Sequence, residues 1–241
     1  MPTAGLLIIG NEILSGKIVD TNSPFLASQL RELGVDLERI LVIPDIVEII
    51  AEETRRFSAN YDYVFTSGGI GPTHDDVTME SIAKAFGQAM RLDEQMCARI
   101  ERAQKEPLND AMRKMALMPE GANVIDVSDL WFPVVVVENV HILPGIPQLF
   151  EKKFLSIRDR FAGVPIHLTR VFVTRHESDI AEDLNDLLRE FSELMLGSYP
   201  KIGEPDYRVM LTLESRDSDY LQRATDSLRK RLASEIIFRV E

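Results

Sequence analysis

Three glycines in four positions, Gly68, Gly69 and Gly71, precede Pro72, Thr73, His74 and the adjacent acids Asp75 and Asp76. Glycines let a backbone approach an anion closely, and free N–H groups at the start of a following helix supply donors for phosphate. Thr73 adds a hydroxyl to that cradle. Carboxylates repel bare phosphate, so the paired acids suit a divalent ion or a polarised water between protein and substrate. Asp76, together with Asp45, is the expected metal- and water-positioning pair. Asp75 can exchange roles with its neighbour, and each of these acids can instead cap a helix.

A second polar stretch, Gly10 to Asn22, follows an apolar run at the N-terminus. Within it Glu12 is a candidate third ligand or base and Asn11 a candidate substrate contact. Asp20, Thr21 and Asn22 either reach a ligand or only start a helix. Pro144 and Gly145, in Leu143-Pro144-Gly145-Ile146-Pro147, form either another loop at the site or a tight strand-to-helix turn. Arg113 or Lys114 could neutralise developing negative charge, although two basic residues on a helix equally describe a solvated face. Trp131 beside Phe132 can stack on a base or pack in a core. His141, His167 and His176 show no ligand spacing.

These loops need elements to hold them. A strand over Thr3–Ile9, apolar on both faces, reads as a central parallel strand. Ser23 as N-cap and Pro24 at the first turn open a helix with Leu26, Leu30 and Leu33 on one face. A strand over Leu37–Ile43 stops at Pro44-Asp45. A helix over Val47–Phe57 follows, with Val47, Ile50 and Thr54 on one face. A strand over Tyr63–Thr66 enters the glycine loop, and a helix over Thr78–Phe86 leaves it. This β-α-β-α-β-α order predicts a parallel sheet with right-handed crossovers and helices on both faces, a three-layer α/β/α domain. The loops after its strands then converge on one sheet edge, where open α/β sheets bind ligands.

Asp93 to Met118 reads as helical with a break at Pro107, and residues 119–122 as a turn. Phe132–Glu138 and Val140–Leu143 form an expected antiparallel hairpin, followed by a helix over Gln148–Phe161. Gly163-Val164-Pro165 marks a boundary, giving domains 1–164 and 165–241. The second reads strand, helix, strand, strand, helix, strand, a small α+β unit of ferredoxin-like or KH-like type. Leu184, Leu187, Leu188 and Phe191 line its first helix; Leu221, Ala224, Leu228 and Leu232 line its second.

With 241 residues, 45% hydrophobic and 27% charged, the chain has the composition of a globular protein. Its net charge of −12 opposes general affinity for nucleic acid or an anionic membrane. The second domain also lacks the Gly-x-x-Gly loop of KH domains. A single cysteine, Cys97, excludes an internal disulfide and a cysteine-rich zinc site, and reads as a buried small hydrophobe. The apolar start is too short for a signal peptide and no stretch approaches a membrane span, so a cytoplasmic location is expected.

Five motifs then carry a family resemblance. They are residues 10–16 with Asp20-Thr21-Asn22; Asp45; residues 68–78; Arg113-Lys114 with Pro119-Glu120-Gly121-Ala122; and Leu143-Pro144-Gly145-Ile146-Pro147. Together they resemble the molybdopterin-binding, MogA/MoeA-like superfamily and, within it, the N-terminal domain of CinA, the competence/damage-inducible protein. The tail resembles, by element order, the small KH-type domain that follows in CinA proteins. The chain has no room for the C-terminal amidase domain of full-length CinA, so amidase activity is not expected. The resemblance implies hydrolysis of a nucleotide pyrophosphate such as ADP-ribose or FAD, with a divalent Mg, Mn or Co ion and K as a further cation. The MogA-like alternative is adenylylation or binding of molybdopterin, and a non-catalytic sensor of nucleotide or pterin is a third reading. The implied partners are a small nucleotide or pterin ligand and further copies of the chain, as a dimer or trimer.

Overall fold

The computed structural model describes residues 1–127 and 130–241. They divide into two compact units, Met1–Gly163 and Val164–Glu241. In the first unit, β1 (Thr3–Ile9) leads through the single-turn α1 (Asn11–Leu14) to α2 (Asn22–Glu32) and β2 (Asp36–Ile43). Then come α3 (Val47–Asn60), β3 (Tyr63–Ser67) and α4 (Thr78–Ala85). β4 (Met90–Leu92), α5 (Glu94–Gln104), α6 (Asp110–Met115) and β5 (Leu117–Pro119) follow. β6 (Asn123–Ile125), β7 (Val134–Val137), β8 (Val140–Leu143) and α7 (Pro147–Ile157) complete it.

The main sheet has the order β2-β1-β3-β8-β7-β6. β1 pairs in parallel with β2 and β3, β3 in parallel with β8, and β7 and β6 add antiparallel. The strand order reverses about β1, because β2 lies on one side of it and β3 on the other. That reversal opens a crevice between the loops after β1 and β3, the position where ligands bind in doubly wound sheets.

Strand alternation sends side chains into two cores. Ala4, Leu6 and Ile8 of β1 pack with Leu26 and Leu30 of α2 and with Phe150, Phe154 and Ile157 of α7. Leu7 and Ile9 point the other way, to Ile50 and Phe57 of α3, Ile82 of α4 and Met96 and Ile100 of α5. Each fully buried side chain of this size stabilises the fold by about 1.5–3 kcal/mol. The three-layer α/β/α arrangement is therefore built by one strand sharing its alternate faces between two helix layers.

Local readings need three corrections here. α2 begins at Asn22, not after Ser23, because the Asp20 carboxylate accepts from the amides of Asn22 (2.9 Å) and Ser23 (3.1 Å) and so supplies the cap that Ser23 was expected to give. The expected helical run to Met118 ends at Met115, and Leu117–Pro119 turns into β5, paired with β4. Such three-residue strands exist only through their pairing and have no periodicity of their own to read. Cys97 is half-buried at the margin of the core, not fully buried.

The second unit contains β9 (His167–Val173), α8 (Glu177–Glu190), β10 (Met195–Pro200), β11 (Val209–Ser215), α9 (Ser218–Arg231) and β12 (Ile237–Val240). Its sheet, β10-β11-β9-β12, is antiparallel throughout, the ferredoxin-like arrangement of a split β-α-β unit. The apolar faces of α8 and α9 meet its inner face through Leu184, Leu187, Leu221, Ala224 and Leu228. No helix among the described residues is long and apolar enough to cross a membrane.

Candidate functional site

A cavity of about 570 Å³ opens at the C-terminal edge of β1, β3 and β8, at the strand-order reversal. Its polar wall comes from three loops, and Asn22 ties them together. This buried side chain donates from Nδ2 to Ser67 Oγ at 2.8 Å and to the Gly145 carbonyl at 2.9 Å. The start of α2, the end of β3 and the turn after β8 are thereby joined by one amide group. Among the described residues its Oδ1 is buried without a hydrogen-bond partner, an acceptor whose desolvation goes uncompensated there.

The glycine loop is held from beneath by Thr78. Its hydroxyl donates to the Gly68 carbonyl at 2.9 Å and its amide to the Gly69 carbonyl at 3.0 Å. Gly68 and Gly69 have φ of 109° and 65°, left-handed backbone that disfavours any side chain. A Cβ on Gly68 would overlap the Ile9 carbonyl oxygen, and one on Gly69 the Thr78 hydroxyl. Gly145 closes against the same turn, since a Cβ there would stand 3.3 Å from Gly68 Cα. The Gly68 amide donates to the Leu143 carbonyl at 3.2 Å. The next three amides, of Gly69, Ile70 and Gly71, have no acceptor among the described residues. Consecutive free amides in a loop with left-handed residues are an anion-binding concavity.

The carboxylates divide into two groups. Glu12, Asp20 and Asp76 line the cavity. Glu12 folds back over Gly10 and Asp76 over Gly71, where a Cβ would come within 2.6 Å of Asp76 Oδ2. Asp76 Oδ2 also accepts from the Thr73 amide at 2.8 Å. The Thr73 hydroxyl stands 2.5 Å from both Asp76 Oδ2 and Asp75 Oδ1, and its one proton serves either. That hydrogen bond holds the Asp75 carboxyl below its usual range. Asp75 faces outward and does not reach the cavity, so the structure separates two neighbours that are equivalent in sequence.

Asp45 lies at the same sheet edge but outside the cavity wall. It follows β2, on the far side of β1 from the crevice, and its Oδ2 accepts from the Asn11 amide at 2.8 Å, holding α1. Asn11, at the start of α1, does not line the cavity either. Thr21 and Pro144 line the cavity; Thr73 and Lys114 do not. The Lys114 ammonium instead donates to the Thr73 carbonyl, bracing the loop from outside. Among the described residues, no group of three or more His, Cys, Asp or Glu side chains is placed to hold a metal by itself.

The remaining wall is apolar, with Ile13, Ile18, Leu130, Trp131 and Phe132 among its residues. One residue in it escaped sequence reasoning. Lys153 of α7 is 2% exposed, donates to the Pro133 carbonyl at 2.6 Å and places Nζ 4.5 Å from the Phe132 ring centre. Burial pushes its ammonium down to about 7. Glu151-Lys152-Lys153 looks like a solvated charge run. The available signal was spacing, because Lys153 stands three residues after Phe150 and four before Ile157, on the buried face. His141 is also buried, among Tyr63, Phe65 and Phe161, and desolvation pushes its imidazole down to about 4.

Comparison with known proteins agrees with this architecture. Residues 5–161 match the family described as "Probable molybdopterin binding domain", and residues 165–241 match "FAD synthase, middle domain". A protein of Archaeoglobus fulgidus is 37% identical over 94% of this chain and 96% of its own length. A "Probable FAD synthase" of Caenorhabditis elegans is 35% identical over 98% of this chain but only 51% of its own length. A "CinA-like protein" of Citrifermentans bemidjiense is 32% identical over 95% of this chain and 58% of its own. The chain thus spans about half the length of these last two relatives. Among solved structures, CinA of Thermoplasma acidophilum, described as of unknown function, superposes with a TM-score of 0.62 at 33% identity. That match covers 66% of this chain and 97% of the Thermoplasma one.

Proposed function

The chain belongs to the molybdopterin-binding domain family in its CinA-type branch, and we propose that it binds a ring-bearing phosphate compound, of pterin or nucleotide type, and transfers an adenylyl group from ATP to its phosphate. The observation that carries this reading is the row of free amides at Gly69, Ile70 and Gly71, set on the same cavity as an apolar wall with Trp131. Phosphate suits the amides, and a flat heterocycle suits the wall. A relative described as a probable FAD synthase, and a second domain matching that enzyme's middle domain, support a substrate that contains an adenylyl group.

In adenylyl transfer a phosphate oxygen of the acceptor forms a bond to the α-phosphorus of ATP. The bond to the bridging oxygen breaks, and pyrophosphate leaves with the electron pair. The loop amides, already oriented, stabilise charge on the phosphoryl oxygens without reorganising. Glu12 and Asp76 repel that charge unless a cation intervenes. Two carboxylates plus substrate phosphate oxygens are a common way to hold Mg²⁺, so these two residues fit a divalent ion shared with the substrate. Such an ion would neutralise phosphate charge.

Water in place of the acceptor would give the hydrolytic reading, cleavage of ADP-ribose or FAD to release AMP. Its motivation is that Glu12 is a carboxylate on the cavity wall, where a general base for the attacking water would stand. The test is purified protein incubated with ATP plus a pterin phosphate, and separately with ADP-ribose and with FAD, each with Mg²⁺, Mn²⁺ or Co²⁺. An adenylylated pterin with pyrophosphate release establishes transfer. AMP from ADP-ribose or FAD establishes hydrolysis instead. No binding of any of these compounds to folded protein would overturn both.

A further inference from the structure

Lys153 is a buried ionisable group with no task in holding phosphate. α7 starts at Pro147, next to the Gly145 turn, and Lys153 lies six residues on, about 9 Å along the helix axis at 1.5 Å per residue. It therefore lies further along α7 than the Gly145 turn, in the apolar stretch of the wall with Phe132 and Trp131. Among the described residues its one hydrogen bond, to the Pro133 carbonyl, leaves two of three ammonium donors unused. Phe132, over which it sits, packs edge-on against Trp131 at 5.5 Å between ring centres. Among the described residues lining the cavity it is the one cation, standing in an apolar wall. A lysine so placed costs stability, and packing alone would favour methionine or leucine.

We propose that Lys153 recognises the ligand's ring, donating to the ring-carbonyl edge of a fused pyrimidine heterocycle of the pterin or flavin kind. This rests on the reading of the cavity as a site for a ring-bearing phosphate compound, and adds which end of the cavity takes the ring and by what contact. The ring lies along Trp131 with its electronegative edge toward Nζ, while phosphate lies at the glycine loop. Pterin and flavin rings share that edge, so Lys153 does not choose between them. It rejects rings that lack it, because the lysine donors would then be left buried and unmatched.

Trp131 is the single tryptophan of the chain, so its fluorescence reports the ring end of the cavity directly. The probes are riboflavin and neopterin, carbonyl-bearing rings without phosphate, and ADP, phosphate on a purine that has no ring carbonyl. They are titrated into the wild type, Lys153→Met and Lys153→Gln, with circular dichroism confirming the fold of each. Lys153→Met is expected to weaken riboflavin or neopterin by about 10- to 100-fold, the worth of a hydrogen bond from a charged group. ADP is expected to bind all three alike, and Lys153→Gln, which keeps a donor, should fall between. Ring binding unchanged in Lys153→Met overturns the inference and leaves the phosphate reading standing. Equal loss of ring and ADP also overturns it, by making Lys153 a support of the fold. Failure of the wild type to bind either ring overturns it, whatever ADP does. Lysine-dependent ring binding without ADP binding would retain the inference and remove the phosphate reading.

Discussion

Replacing Gly69 by alanine should damage the phosphate loop through one identifiable atom. The residue has φ of 65°, where a side chain costs about 1 kcal/mol. The new methyl would also overlap the Thr78 hydroxyl, which must leave the Gly68 carbonyl it now bonds at 2.9 Å. Orphaning that buried acceptor costs about 1–3 kcal/mol. Gly69→Ala is therefore expected to destabilise the first unit by about 2–4 kcal/mol, a melting shift of roughly 5–12 °C for a unit of this size. Thr78→Ala loses the same hydrogen bond without the clash, at about 1–3 kcal/mol. Because both changes break one interaction, the double variant should be no more than about 1 kcal/mol worse than Gly69→Ala, with a coupling of about 1–3 kcal/mol. Urea unfolding followed by Trp131 fluorescence measures all four corners within the unit that holds the loop. Additive effects would refute the reasoning, since the hydroxyl would then not be the atom displaced.

Three further outcomes are expected. His141 has its folded-state pKa near 4, below the 6.5 of an exposed histidine, so the unfolded chain takes up the proton first. Its contribution is fully present above pH 6.5 and is lost as pH falls toward 4, by about 3 kcal/mol in total. His141→Phe should flatten that part of the stability profile, and a slope equal to wild type would remove His141 as its cause. Lys153, held near 7 against an ordinary 10.5, has the same sign at higher pH, with stability lost as pH falls from 10.5 to 7. Lys153→Met should therefore stabilise the ligand-free protein at pH 7, by about 1–4 kcal/mol, with an advantage that shrinks toward pH 10. Unfolding titrations at the two pH values check it, and a constant difference would count against the buried-ammonium account. Among the acids, Asp76→Asn should reduce metal-dependent turnover by about a hundredfold or more. Asp75→Asn, which faces outward, should leave it within a few-fold, and equal losses would deny the separation of the two neighbours.

The elements that hold the site were legible from local pattern. β1 occupies Thr3–Ile9 as its apolar run requires, and β3, α4 and the β7–β8 hairpin fall within two residues of expectation at most ends. Helix and strand periods are short-range properties, set by which side chains share a face. The order of strands and helices then limits topology so strongly that convergence of the Gly10–Asn22 and Gly68–Asp76 loops needed no coordinates. Even the odd cation, Lys153, had its position on the buried face written in the spacing of Phe150, Phe154 and Ile157. A run of charge hid it.

What only the tertiary structure decided is which side chains of those loops share a space. Asp75 and Asp76 are chemically identical and adjacent, and the turn through Thr73 sends one to the cavity and the other to solvent. Asp45 stands after a strand, as the site acids do, yet β2 inserts on the outer side of β1 and its carboxylate is used on the Asn11 amide. Asn22 joins Ser67 and Gly145 across 45 and 123 residues, and β4 and β5 form only because each finds the other. Local sequence specifies backbone conformation, because sterics and hydrogen bonding act within a few residues. Site geometry depends on contacts between segments distant in the chain, which exist only after the sheet has ordered its strands.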